Sequence, residues 1–277
     1  MEKEKAKKIV REGYAKVAQT ECSCYTTESS SCCGGPSLAE DISRQIGYSD
    51  EDMQAVPDGA NLGLGCGNPV ALASLMEGET VVDLGSGPGF DSFLAARRVG
   101  QTGHVIGVDM TPEMLDKARE NARKGGFENV EFRLGEIEHL PVADNSADAI
   151  ISNCVINLVP DKKAVFADAF RILKPGGRLM VSDIVLLKEL PQAVKESVAA
   201  YVGCVAGASR KADYIGAIEK AGFENIEIVD EKSFPVELMA NDPTGKAVME
   251  SMEIEEEDAA ELGSSISSVS VFARKPG

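Results

Sequence analysis

VVDLGSGPGF, residues 81–90, reads as a buried strand that breaks at Gly85 into a glycine loop and then enters a helix. Gly85, Gly87 and Gly89 leave no Cβ between the backbone and a ligand, and Ser86 lies among them. A second apolar run, VIGVDM, ends in an acid at Asp109, 26 residues after Asp83. A strand end, a glycine loop and a second strand ending in a carboxylate place the ribose hydroxyls of an adenosine group within reach of Asp109. The glycines follow GxGxG and not the GxGxxG of the dinucleotide fingerprint, which favours S-adenosylmethionine over NAD. Acids at the ends of apolar strands have few purely structural explanations, so Asp83 and Asp109 are candidate site residues.

Working outward, strands and helices alternate. Strands are expected at Thr80 to Leu84, His104 to Asp109, Val130 to Leu134, Ala147 to Asn153 and Gly177 to Ile184. Helices fall between them at Phe90 to Val99, Pro112 to Lys124 and Lys162 to Leu173, the pattern of a doubly wound α/β sheet. Thr111, Pro112 and Glu113 form a helix start, and KPGG at 174–177 a stop. Further helices are expected at Pro191 to Gly207 and Ala212 to Ala221. FENIEIVDEKSF and SISSVSVFARKP then alternate as a closing antiparallel hairpin, interrupted by an acidic helical insertion near 236–262. Upstream lie a helix over 3–19, a Ser-, Gly- and Cys-rich loop over 21–37, a short helix at Leu38 to Ile46, a second glycine loop around Cys66, and a helix from Pro69 to Leu75. Two units result: an N-terminal helical and cysteine-rich segment, 1–64, and a main domain, 65–277.

Asp and Glu number 45 against 28 Lys and Arg, a net charge of −17, which argues against nucleic acid or an anionic membrane as partner. No apolar run reaches the roughly 20 residues of a spanning helix, and MEKEKAKKIV lacks the apolar core of a signal peptide, so a cytoplasmic protein is expected. In that compartment seven cysteines read as ligands, redox groups or core fillers rather than a disulfide framework. With only two histidines, His104 and His139, a soft metal or metalloid site must be built from sulfur.

The GxGxG loop, the acid after the second strand and a reversed last strand resemble the seven-stranded, Rossmann-like fold of class I S-adenosylmethionine methyltransferases. SNCVINLVPDK at 152–162, GHVIGVDMT at 103–111, the cysteine of GLGCGNP and the cysteine of YVGCVAGA together resemble the arsenite methyltransferases. The resemblance implies arsenic as a substrate bound by Cys66, Cys154 and Cys204, with a fourth cysteine in the N-terminal loop, where the chain offers Cys32 and Cys33 side by side. Cys22 and Cys24 lie outside the pattern. For the cofactor it implies Asp83 and the amides from Gly85 to Gly89 on the methionine side and Asp109 on the ribose. Met110 would pack on the adenine, Glu136 and Ile137 would lie at the adenine edge, and Asn153 would sit at the methionine amino group.

Trivalent arsenic is soft and binds thiolates in a pyramid that leaves a lone pair on its open face. That lone pair attacks an electrophilic methyl, so in-line positioning matters more than a general base. The thiolate is the active species, which calls for a thiol pKa lowered by a positive group or a helix terminus. Cys154 is expected at a strand end and Cys204 midway along a helix. Transfer oxidises arsenic, so a thiol pair and an external reductant, thioredoxin or glutathione, are implied partners. The alternatives are a methyltransferase of a small organic acceptor and a non-catalytic metalloid-binding protein.

Overall fold

The computed structural model describes residues 3–19, 38–190, 194, 201, 204–233 and 265–277. Cys22, Cys24, Cys32 and Cys33, the acidic insertion, and most of the helix expected from Pro191 lie outside them. The strands are β1 (Thr80–Leu84), β2 (His104–Asp109), β3 (Val130–Leu134), β4 (Ala147–Asn153), β5 (Leu173–Leu186), β6 (Ser209–Arg210), β7 (Glu224–Ser233) and β8 (Ile266–Arg274). They form one sheet in the order β3-β2-β1-β4-β5-β8-β7, with β6 pairing beside β5. All neighbours from β3 to β5 are parallel, and β8 runs antiparallel to both β5 and β7. The seven expected strands are therefore present, and the two-residue β6 makes an eighth.

The central strands read as continuous apolar runs because both faces of the sheet are covered. Successive side chains alternate between two cores. Val81, Val105, Ile151 and Met180 pack with Leu94, Ala95 and Val99 of α5 (Phe90–Val99) and with Val70 of α4 (Pro69–Leu72). Val82, Leu84, Val108 and Ile150 pack with Val165, Phe166 and Ala169 of α7 (Lys162–Ile172) and with Tyr214 and Ile218 of α8 (Lys211–Lys220). Further helices are α1 (Lys3–Gln19), α2 (Leu38–Ile46), α3 (Asp50–Gln54) and α6 (Pro112–Gly125). Among the described residues no helix is long and apolar enough to cross a membrane.

Three boundaries differ from expectation. The helix beginning at Pro69 stops at Leu72, because Arg178 of β5 donates to the carbonyls of Ala73 and Ser74 (2.6 and 2.8 Å) and so caps its end. KPGG stops α7 but opens no loop. β5 starts at Leu173 opposite Ala147, and the register shifts before Arg178 meets Ala149, so the two glycines lie in a bulge. Cys204 is not in a helix at all: it lies in a turn with φ +65°, after which β6 joins the sheet beside Val185 and Leu186.

Candidate active site

β1 pairs with β2 on one side and β4 on the other, so the strand order reverses beside β1. Ligands of open α/β sheets bind in the crevice at such a reversal, beyond the carboxyl ends of the strands. The cleft found there is lined by Asp83, Gly85, Ser86, Gly87, Asp109, Met110, Ile137, Asn153, Cys154 and Cys204, all expected from sequence. Gly89 and Glu136 are not among its lining residues. Gly89 is the N-cap of α5, where a Cβ would collide with the rings of Phe93 and Phe132. Glu136 accepts from Lys7 of α1 (2.6 Å), and the residue two further on, Glu138, lines the cleft in its place.

The glycine loop is shaped by what surrounds it. A Cβ on Gly85 would run into Val155, while at Gly87 (φ +52°) no atom lies within 4 Å of where a Cβ would stand, the open approach a ligand requires. The loop amides are engaged internally. Gly85 and Ser86 donate to Val108 O, Gly89 to Ser86 O, and Gly87 to Asp109 Oδ2 (3.0 Å). The buried Ser86 hydroxyl, by contrast, has no hydrogen-bond partner among the described residues. The other oxygen of Asp109 accepts from Thr111 N (2.8 Å). Burial pushes the Asp109 pKa up, against the pull of these two amides.

Two acids that line the cleft stand together with no cation paired to them among the described residues. Asp83 is 2 % exposed and accepts from Ser92 Oγ (2.6 Å). Asp91, 8 % exposed, accepts from Tyr48 Oη (2.6 Å) and Asn153 Nδ2 (3.1 Å). Burial, then the charge of Asp91, raises the Asp83 pKa, and burial also raises that of Asp91 against its two hydrogen bonds. Neither acid forms an ion pair among the described residues, so their acceptor oxygens carry no compensating positive charge there. Asp91 and Tyr48 were not anticipated. The available signal was an acid in the first turn of an otherwise apolar helix, one residue past the glycine loop.

The thiols converge beside this pair. Cys66 and Cys154 bring their sulfurs within 4.8 Å of one another and of the Asp183 carboxylate. Cys204 Sγ donates to Cys154 O (2.8 Å), and the Cys154 thiol hydrogen-bonds with both other thiols. Cys66 and Cys204 are 5 % and 4 % exposed, and Cys154 is half-buried with φ +58°. Cys66 does not itself line the cleft, whereas Cys154 and Cys204 do. The thiol pKa values move the opposite way from expectation. Burial pushes Cys66 up, and the contact in which the Cys204 thiol donates toward Cys154, together with burial, pushes Cys204 well up. At Cys154 the bond to Cys204 pulls down, but the bond to Cys66 and burial outweigh it. The nearby cation, Lys162, is turned to Gly207 O (2.7 Å) and braces the turn that carries Cys204. Asp183, unanticipated, is pushed up to about 7 by burial and held by Asn157, Tyr214 and the amide of Ile184.

A cleft with a carboxylate at the end of β2, two buried acids and a cluster of thiols has clear relatives. The profile of the methyltransferase domain matches residues 75–255. An arsenite methyltransferase of Halobacterium salinarum is 52 % identical over 231 residues, 81 % of this chain and 59 % of that protein. One of Aquipseudomonas alcaligenes is 36 % identical over 82 % of this chain and 64 % of its own length. The chain spans about three-fifths of the length of these curated relatives. The crystal structure of an arsenic(III) S-adenosylmethionine methyltransferase from Chlamydomonas reinhardtii superposes with a TM-score of 0.60 at 31 % identity, covering 88 % of this chain and 75 % of that one. The chain therefore belongs to the methyltransferase-domain family, within its arsenite methyltransferase branch.

Proposed function

We propose that this chain transfers a methyl group from S-adenosylmethionine to trivalent arsenic held by Cys66, Cys154 and Cys204. The observation that carries the reading is a cluster of three thiols, two of them lining the cleft and Cys66 behind them, beside a pair of buried acids that no cation pairs among the described residues. The residues fit the cofactor. Asp109 is set for two vicinal hydroxyls, Met110 and Ile137 for an adenine face, the open side of Gly87 for close backbone approach, and Asp83 with Asp91 for an ammonium group. When bound, the cofactor supplies an electrophilic methyl carried on a sulfonium.

Protonated thiols suit the capture of arsenite. Each hydroxyl of arsenous acid leaves as water, taking the thiol proton with it, so three neutral thiols yield a neutral trithiolate and three waters with no charge to bury. The high thiol pKa values thus keep the empty site uncharged next to Asp183, and sulfur supplies the affinity. Cys154 and Cys204 face the cleft and orient the arsenic lone pair toward it, while Cys66 closes the third side from behind. Methyl transfer takes two electrons from arsenic. A thiol pair returns them by closing to a disulfide, in which Cys32 or Cys33 is the proposed partner of Cys66, and an external dithiol such as thioredoxin, or glutathione, reopens it. That chemistry belongs in the reducing cytoplasm.

The test is incubation of the protein with arsenite, S-adenosylmethionine and a dithiol, followed by speciation of arsenic and assay of S-adenosylhomocysteine. The expected result is methylated arsenic and homocysteine product in matched amounts. Product formed without arsenite, or none with it, overturns the reading.

A further inference from the structure

Asn153 joins the acid pair to the thiol centre. Its Oδ1 accepts from the amide of Cys66 (3.0 Å), and its Nδ2 faces three acceptors: Gly67 O (2.8 Å), Tyr48 Oη (2.9 Å) and Asp91 Oδ2 (3.1 Å). The side chain therefore holds the loop backbone at Cys66 N and at Gly67 O, and its own backbone leads directly into Cys154. Packing leaves this grip no slack, since a Cβ on Gly65 would stand 2.9 Å from Asn153 Nδ2 and one on Gly67 2.7 Å from Ser182 Cβ. An amide nitrogen has two hydrogens, so three acceptors compete for them. Tyr48 Oη already donates to Asp91 Oδ1, which leaves its lone pair facing Asn153.

We infer that Asn153 is a positioning residue that couples the two halves of the site: an ammonium group seated on Asp91 strengthens the hold of the thiols on arsenic. The inference rests on the function proposed above. With Asp91 satisfied by a cationic ligand, both Asn153 hydrogens fall to Gly67 O and Tyr48 Oη. The loop carrying Cys66 is then fixed relative to Cys154, and the arsenical meets a preorganised pair of thiols. By linkage the arsenical tightens cofactor binding by the same factor.

The experiment uses the full chain with Cys22, Cys24, Cys32 and Cys33 changed to Ser, so that Cys66, Cys154 and Cys204 are the thiols that remain. Affinity for phenylarsine oxide is measured by calorimetry alone, with saturating S-adenosylhomocysteine, and with saturating methylthioadenosine, which fills the adenosine site without an ammonium group. S-adenosylhomocysteine should raise arsenical affinity at least about fivefold, the lower end of ordinary coupling, and methylthioadenosine should leave it within about twofold. Asn153→Ala should reduce the first ratio to that of methylthioadenosine. Tyr48→Phe, which keeps the ring and removes one competing acceptor, should raise the ligand-free affinity and shrink the ratio. If Asn153→Ala does not fold, Tyr48→Phe decides alone. An undiminished ratio in either variant, or an equal rise with methylthioadenosine, overturns the coupling. Binding of both ligands by the parent chain with no coupling sinks this inference only, whereas binding of neither sinks the proposed function itself.

Discussion

Asp91→Asn should move affinity and stability in opposite directions. The substitution keeps the shape of the side chain, and an Asn oxygen can still accept from Tyr48 Oη, now 2.6 Å from Asp91 Oδ1. Asn153 loses one acceptor but retains Gly67 O and Tyr48 Oη for its two hydrogens; the new amide nitrogen stands where Asp91 Oδ2 stood, 3.1 Å from Asn153 Nδ2, and this donor-to-donor approach offsets part of the gain. A hydrogen bond to a charged group contributes about 1.5 to 3 kcal/mol, so S-adenosylhomocysteine should bind about 10- to 150-fold more weakly. The ligand-free fold should gain, because the charge of Asp91 is, after burial, the largest influence raising the Asp83 pKa. Each pKa unit relieved at Asp83 corresponds to about 1.4 kcal/mol, and each kcal/mol to about 2 to 4 °C in Tm. The pH dependence has a defined sign. An acid whose folded pKa is raised binds its proton more tightly in the folded state, so stability falls as pH climbs from the ordinary value of about 3.9 through the folded one. Asp91→Asn should flatten that decline. Calorimetric titration and thermal melts between pH 5 and 8 measure both effects. Unchanged cofactor affinity would show that Asp91 does not hold the ammonium, and a lower Tm would show that its carboxylate is a structural acceptor instead.

Three further outcomes follow from the geometry. Asp109→Asn should weaken S-adenosylhomocysteine by about 1 to 3 kcal/mol in calorimetry while leaving phenylarsine oxide binding intact, since the carboxylate serves the glycine loop and not the thiols. Cys154→Ser and Cys204→Ser should each abolish methylation of every arsenical, measured by arsenic speciation, because a hydroxyl is a poor soft ligand; near-normal turnover would make that cysteine a packing residue. Glu79→Gln should cost about 3 to 5 kcal/mol in denaturant unfolding at neutral pH, since it strips the buried Arg178 of a two-pronged partner (2.8 and 2.6 Å). Burial works against the Glu79 carboxylate, but Arg178 and the Met76 amide hold its pKa below the usual value. The contribution of the pair is therefore present above the ordinary value of about 4.3 and fades as pH falls through the lowered one. A deficit that persists undiminished at low pH would refute the ionic account.

The sheet was legible because its central strands are apolar on both faces and its edge strand β3 alternates apolar and charged residues, so β1 to β4 match expectation residue for residue. Asp83 and Asp109 were legible for the same reason: an acid closing an apolar run stands out. Asp183 carries the same signature within RLMVSDIVL, but no glycine loop follows it to draw attention. Asp91 was hidden because an acid in the first turn of a helix is ordinary helix chemistry, and only the fold turns it toward Asp83. Tyr48 reaches the site from 43 positions upstream of Asp91, a distance no local pattern spans. Glu138 in place of Glu136 reflects a tight turn between Glu136 and His139, whose geometry decides which acid faces inward. Cys204 was misplaced because Ala- and Val-rich sequence reads as helix, while the turn there is set by packing of Gly207 against Asn157 and by Lys162.

Two of the arsenic-binding thiols proposed here sit on left-handed backbone, Cys154 at φ +58° and Cys204 at φ +65°. That conformation costs a residue with a β-carbon about 1 to 2 kcal/mol and costs glycine almost nothing. Glycine would relieve the backbone at both positions but forfeit the packing of side chains that stand in an apolar cluster. The left-handed region is a small well bounded by steric clashes, so each of these cysteines is confined to one narrow backbone state. The spacing of the two sulfurs is in that sense written into the main chain and not left to side-chain rotation alone.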